Sequence, residues 1–288
     1  MGLIRGAVGL VLHPGRDCAT AMEMITRWAQ ARNVRVLGLE GEVERITGEA
    51  TAVDAGELAE RADCVVSLGG DGTMLRAMRL ARDSHAPVLG VNVGRLGFLA
   101  EVDVPDLAEA LSAIDEHRFT IEPRSAVLAT FAGTDTVAFN DIALARIPGR
   151  GTTAAVELRV EGHPFVRYAA DAVVVATPTG STAYSFSAGG PIVSPNAEGL
   201  LVIPVAPHSA FNRALFLSSG EKLALDILRP SGEIAVEADG RVVGRIRSGE
   251  VVDLTLLPAA ARVVRLGRTT FYQRAQRRLR LTGSAEVD

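Results

Sequence analysis

Hydrophobic positions along the first hundred residues switch repeatedly between two periods. Ala7 to Leu12 is an unbroken apolar run of strand length that stops at His13-Pro14-Gly15. Ala19 to Arg32 then carries Met22, Ile25, Trp28 and Ala29 at helical spacing. Strand character returns at Val34 to Leu39 and at Cys64 to Leu68, and Thr73 to Arg82 reads as a helix with Thr73 as its N-cap. A strand over Pro87 to Val93 and a helix over Pro105 to His117 complete the series. Strands without polar alternation, separated by helices, predict a parallel sheet covered on both faces, a Rossmann-like α/β domain over residues 1–118.

Beyond Phe119 the helical period disappears. Ser125 to Phe131, Ala154 to Val160, Phe165 to Tyr168, Lys222 to Leu228, Glu233 to Val243 and Val251 to Leu256 read as strands joined by short turns. Glu161-Gly162 and Asp239-Gly240 have hairpin chemistry, the latter suited to a type I′ turn. The prediction is an antiparallel all-β sandwich over 119–265, followed by a tail over 266–288. The basic stretch Arg274 to Arg280 in that tail reads as a helix with a solvated face rather than a binding arm.

Charge and composition narrow the chemistry. A formal charge of -4 over 288 residues gives no electrostatic reason to expect nucleic acid or an anionic membrane as partner. Cys18 and Cys64 have neither zinc spacing nor the numbers of a disulfide framework, which suits idle thiols in a reducing cytoplasm. The apolar start is short and interrupted by Arg5, a first core strand rather than a signal peptide, and no apolar run reaches membrane-spanning length. The five histidines are scattered without metal-ligand spacing.

Three segments can carry chemistry. In SLGGDGTMLRA a buried strand runs into Gly69-Gly70-Asp71-Gly72 and a helix opens at Thr73. Glycines allow close backbone approach, and free N–H groups at a helix start favour phosphate, so Gly69, Gly70, Gly72 and Thr73 form a candidate phosphate loop. A structural glycine turn is the alternative. Against it stands Asp71, since an acid among phosphate-binding amides repels phosphate unless it holds a metal or deprotonates a hydroxyl, both roles in phosphoryl transfer. The glycine spacing is not that of a dinucleotide fingerprint. Lys222, the only lysine, lies far from the loop, which excludes a Walker A motif. The second segment, Val173 to Pro195, leads a strand into a Gly/Ser/Thr-rich loop and a short helix around Ala183-Tyr184-Ser185, where hydroxyls, amides and the Tyr184 face suit an anionic or ribose-bearing group; a structural turn is equally open. Third, Asn140 beside Asp141 at a strand end pairs a donor with an acceptor, as two ribose hydroxyls require, although Asn-Asp is also a common turn.

Taken together and in this order, GGDGT at Gly69 to Thr73, GVNVGRLGFLAE at Gly90 to Glu101, FND at Phe139 to Asp141 and TPTGSTAYSFSAGGPIVSP at Thr177 to Pro195 resemble the motifs of bacterial NAD kinases. The likeness continues through APHSAFNRAL at Ala206 to Leu215, the Asp239-Gly240 turn and the closing FYQRAQRRLR. It implies transfer of a phosphoryl group from ATP or polyphosphate to the 2′-hydroxyl of NAD's adenosine ribose, with the tail packing back on the first domain. By the resemblance, Asp71 activates that hydroxyl and Asn140 and Asp141 bind the ribose. Phe98, Thr182, Ala183 and Tyr184 hold the adenine, Asp171 reaches the nicotinamide half beside Ala169, and Thr179 and Ser187 belong to the same NAD-binding set. Mg²⁺ would be bound mainly through donor phosphates, and a homodimer or homotetramer is implied.

Three positions depart from the family's usual pattern. Asp141 replaces the more usual Glu at about 1.5 Å less reach. Ser194 stands where a histidine often precedes the proline. Ala169 replaces Arg or Gly. A lipid or sugar kinase sharing GGDGT would leave Asn140, Asp141 and Tyr184 without a role, and a non-catalytic NAD(P)-binding regulator would leave Asp71 without one.

Overall fold

A computed structural model describes residues 3–45, 50–94, 97–208 and 211–281. Arg95 and Leu96 of the Gly90 to Glu101 motif, and Ser209 and Ala210 of Ala206 to Leu215, lie outside the described residues. The chain divides into two compact units, Met1–Pro123 with Ala261–Asp288, and Arg124–Ala260.

The first unit opens with β1 (Ala7–Leu12), α1 (Ala19–Gln30), β2 (Arg35–Leu39), β3 (Thr51–Val53), α2 (Ala55–Arg61), β4 (Cys64–Gly69), α3 (Asp71–Ala81), β5 (Val88–Asn92), β6 (Val102–Asp103) and α4 (Leu107–Asp115). β1, β4 and β5 are buried along their whole length, which accounts for their unbroken apolar sequence. The sheet is parallel in the order β3-β2-β1-β4-β5. The chain builds outward from β1 to one side and then returns to β1's other side, so the strand order reverses between β1 and β4. A ligand crevice belongs at the carboxyl ends of those two strands. Cys18 and Cys64 are both buried and free, and burial pushes the Cys64 thiol up to about 12, consistent with inert packing.

The strands of the second unit are β7 (Thr120–Phe131), which begins in the first, β8 (Thr134–Ala138), β9 (Asp141–Arg146), β10 (Ala154–Val160), β11 (His163–Ala170), β12 (Ala172–Ala176), β13 (Gly199–Val205), β14 (Leu215–Ser218), β15 (Leu223–Ile227), β16 (Ile234–Ala238), β17 (Arg241–Ile246) and β18 (Val251–Arg265). A 3-10 turn at Thr179–Thr182 and the short helix α5 (Tyr184–Ser187) follow β12. One sheet is antiparallel in the order β14-β13-β12-β9-β16-β17, and β11-β10-β15-β18 form the other. Ile142, Leu144, Val173 and Val175 of the first and Val156, Leu158, Leu225 and Leu254 of the second share one core, the sandwich that the alternating strands predict. β12 is buried on both faces because Val174 and Ala176 pack beneath Ala188 and Val193 of the Ser/Thr-rich segment.

Ala261–Arg265, the end of β18, belongs to the first unit and lies beside β5, with Val263 opposite Val88. The last helix, α6 (Phe271–Leu279), is held by a capping box between Thr270 and Gln273.

Several sequence expectations change. α3 starts at Asp71 with Gly70 as its cap, so Thr73 is not the N-cap but sits inside the first turn, where its Cβ packs beside Gly69. Glu233 to Val243 is two strands that meet at the Asp239-Gly240 turn read from the sequence, with φ of 47° and 73° as a type I′ turn needs. Glu161-Gly162 has the same geometry, at 51° and 78°. In the tail, Arg274 is turned inward and only 2% exposed, unlike a solvated face.

Candidate active site

In the first unit β4 delivers the chain into Gly69 and α3 begins two residues later. A Cβ on Gly69 would stand 2.2 Å from Thr73 Oγ1, so the strand can turn into the helix this tightly only at glycine. Helix geometry leaves the N–H groups of Asp71 and Gly72 without an upstream acceptor, at the positive end of the helix dipole. N–H groups left open in this way can receive the oxygens of a phosphate.

Asp71 is fixed rather than free. Its Oδ2 accepts the N–H of Phe98 and its Oδ1 the N–H of Leu99, both at 3.0 Å. Gly97 makes this possible, because a Cβ there would lie 2.2 Å from Oδ1. Two amides occupy two of the carboxylate's four or so acceptor directions, leaving the others for a ligand. Phe98, which the resemblance assigns to the adenine, has a nearly buried ring, and it is its backbone N–H that meets Asp71.

Two neighbours of this loop escaped the sequence reading. Arg16, at the carboxyl end of β1, donates from Nη1 to Val93 O at 2.6 Å and lies against Gly94 and Gly70. It puts a cation at the loop of a chain with one lysine, and its position just after β1, across the switch point from Gly69, was the available signal. Asn92 pairs with Gly69 across the sheet, is 3% exposed, and neither polar atom of its side chain has a partner among the described residues. His13, whose Cβ lies beside Gly69, is held below its ordinary pKa by burial, then by Arg16 and Arg76.

In the second unit Phe139, Asn140 and Asp141 join β8 to β9. The Asp239 carboxylate accepts all three of their N–H groups, at 3.3, 2.7 and 3.4 Å. The Asp239-Gly240 turn is therefore a brace for this segment as well as a hairpin. From the other side, Thr177 donates its hydroxyl to Phe139 O at 2.5 Å and its N–H to Asn140 O at 2.9 Å. Gly180 passes so close to Asn140 that a Cβ would sit 2.0 Å from its carbonyl oxygen. The Thr179–Thr182 turn is thus pinned onto Asn140, and the Tyr184 N–H points to Asp141.

Asp141 is 4% exposed, and its carboxyl is pushed up to about 7, first by burial and then by the charges of Asp239 and Glu237. The Tyr184 phenol, half-exposed, is also raised, by burial and by Glu237, Asp141 and Asp171. Asp171, at the end of β11, is paired with Arg146 at 2.5 Å; both are partly exposed. Ala169 gives its carbonyl to His208 N at 2.7 Å. Thr179 is buried, Thr182 and Ala183 are half-buried and Ser187 is exposed. Among the described residues no three His, Cys, Asp or Glu side chains converge as a metal cage, so a divalent cation here would depend on ligand oxygens.

Comparison with known proteins bears on both units. Residues 8–119 match the family model for the ATP-NAD kinase N-terminal domain, and 139–266 the one for the ATP-NAD kinase C-terminal domain. The chain is 38% identical to NAD kinase 1 of Streptomyces avermitilis over 96% of its own length and 87% of that protein's. It is 34% identical to the NAD kinase of Desulforamulus reducens over 95% and 96%. Among solved structures, the yeast NADH kinase complexed with NADH superposes with a TM-score of 0.85 at 24% identity, covering 98% of this chain and 90% of that one, a likeness of fold. An NAD kinase from Archaeoglobus fulgidus in complex with ATP gives 0.74 at 26% identity, covering 96% and 100%.

Proposed function

The chain belongs to the NAD kinase family, and from that premise we propose how its residues divide the phosphorylation of NAD. The observation that carries the reading is Asp71, an acid clamped by two amides inside a phosphate loop. Asp71 accepts the proton of the adenosine 2′-hydroxyl as that oxygen attacks the donor's terminal phosphorus, and the bond from that phosphorus to the bridging oxygen breaks, leaving the donor one phosphate shorter. The N–H groups at the start of α3 and the Arg16 guanidinium stabilise charge on the transferred group. ATP is the donor we favour, with polyphosphate an alternative that the same loop could cradle. Mg²⁺ would be held mainly by donor phosphate oxygens and water, and when bound it would neutralise phosphate charge.

The second unit supplies NAD recognition in this reading. Asn140 and Asp141 meet the ribose hydroxyls of the adenosine, and a carboxyl titrating near 7 can donate to one hydroxyl and accept from another. Tyr184 offers its exposed face to the adenine beside Thr182 and Ala183, while Thr179 braces the turn. Asp171 and Ala169 lie toward the nicotinamide half. The exposed Phe216 on β14 and Val242 on β17, the two edge strands of one sheet, support a homo-oligomer. No helix among the described residues is long and apolar enough to cross a membrane, and the two free thiols suit the cytoplasm, where we place the enzyme.

The test combines purified protein, ATP, Mg²⁺ and NAD, with NADP read by an NADP-specific dehydrogenase. Asp71→Asn should fold and bind NAD while turning over roughly 10²–10⁴-fold more slowly, the usual worth of a general base. Near-parent turnover in that variant would remove Asp71 from the mechanism.

A further inference from the structure

The peptide that clamps Asp71 is itself held from behind by the end of the chain. Phe98 O, the carbonyl of the peptide whose N–H donates to Asp71 Oδ1, accepts Arg274 Nε at 3.1 Å. The next carbonyl, Leu99 O, accepts Arg265 Nη1 at 2.8 Å. Both guanidiniums are deeply buried, Arg274 at 2% and Arg265 at 7% exposed. Arg274 is fixed in turn by Thr269, whose carbonyl it meets at 2.6 Å and whose hydroxyl at 3.2 Å. Glu101, just past the clamp, accepts the N–H groups of Leu266 and Arg268 at 3.1 and 2.8 Å, tying the same tail segment to the same strand end.

We propose that Arg274 is a positioning residue for Asp71, acting through the single peptide group between Phe98 and Leu99. A cation on the carbonyl side of a peptide polarises it and strengthens the N–H on the other side as a donor. It also fixes the peptide plane, and with it the direction from which Leu99 N–H meets the carboxylate. Arg265 does the same for the following peptide, which keeps the segment from rotating. Burying a guanidinium to satisfy a main-chain carbonyl is costly for packing alone, since an apolar side chain on α6 could fill the space. The arrangement instead couples the last helix of the chain to the acid in the phosphate loop. Asp71 and Arg274 are separated by some two hundred positions in sequence, and one peptide group connects them in space.

The inference rests on Asp71 acting as the base, so the experiment is a double-mutant cycle that separates the two. Arg274→Gln and Arg274→Lys are made in the parent and in Asp71→Asn, and kcat and KM for NAD and ATP are measured with thermal unfolding as a check on folding. Arg274→Gln should lower kcat about 10- to 100-fold with both KM values within about threefold of the parent, since the loss falls on placement of a catalytic group rather than on substrate binding. Arg274→Lys, which keeps the charge but not the geometry of Nε, should recover part of that rate. In the Asp71→Asn background the same substitutions should change kcat less than about twofold, because there is no base left to position. Equal fractional losses in both backgrounds, or a near-parent kcat for Arg274→Gln, would overturn the proposal. If Arg274→Gln does not fold, the cycle is read from Arg274→Lys on the same criteria. Near-parent turnover of Asp71→Asn alone would remove the base and the positioning role together, whereas a slow Asp71→Asn with additive losses removes only the latter.

Discussion

Gly97→Ala puts the clamp on Asp71 to a direct test. The new Cβ would stand 2.2 Å from Oδ1, 2.7 Å from Cγ and 2.9 Å from Oδ2 of Asp71, whereas ordinary contact begins at 3.4 Å. The backbone at Gly97 does not need a left-handed conformation, so the substitution acts by bulk alone. Something must move, and the carboxylate is the softer party. The 98–99 peptide is tied to Arg274 and Arg265, while Asp71 can rotate about its side-chain bonds. A retreat of about 1 Å would break both 3.0 Å amide bonds, each worth about 1.5–3 kcal/mol to a charged acceptor. Asp71 is partly exposed and water replaces much of that, so the net cost in stability should be about 1 kcal/mol. The kinetic cost is larger: misplacing a reacting group by this distance costs roughly 10²-fold in kcat. The coupled NADP assay should therefore show kcat falling by roughly that factor, KM for NAD nearly unchanged, and a small shift in Tm. A variant with parental kcat would mean that the clamped geometry is irrelevant to turnover.

Asp141 makes a prediction about pH. Its folded carboxyl titrates near 7 against the ordinary 3.8 of an aspartate, so the fold favours the protonated form. That contribution is fully present below about pH 4 and is lost as pH rises through 7, in all roughly 4 kcal/mol to order of magnitude. Urea unfolding of the free protein at pH 5 and pH 8 should show the loss, and Asp141→Asn should remove most of it; an identical pH dependence in the variant would refute the assignment. If Ala169 and Asp171 lie beside the nicotinamide as proposed, Ala169 has neither bulk nor charge to exclude the neutral, puckered ring of NADH while Asp171 favours the cationic one, so NAD should be preferred with NADH phosphorylated measurably. Ala169→Arg should narrow the enzyme to NAD, and an unchanged ratio of kcat/KM for the two cofactors would sink that idea.

What the sequence determined is what depends on neighbours along the chain. β1 and β4 are unbroken apolar runs because both faces are covered, and that pattern is written in consecutive residues. The type I′ turns at Glu161-Gly162 and Asp239-Gly240 follow from the backbone preferences of two residues each, and the tight passage from β4 into α3 from the glycine at Gly69. Short strands such as β3 and β6 escaped because two or three residues carry no period. The extra turn of α3 before Thr73 escaped because glycine is a poor helix former and Gly70 caps without a side chain. The bracing of the site was decided only by tertiary structure. Asp71 is held by amides 27 and 28 positions away, and Asp239 braces Asn140 from 99 positions away. Arg274 reaches Phe98 across 176 positions. Each of these bonds uses a backbone C=O, which every residue offers, or a backbone N–H, which every residue but proline offers, so side-chain identity does not mark the partner. Burial likewise belongs to the folded chain: Asp141 titrates near 7 because the fold removes its water and places Asp239 and Glu237 beside it.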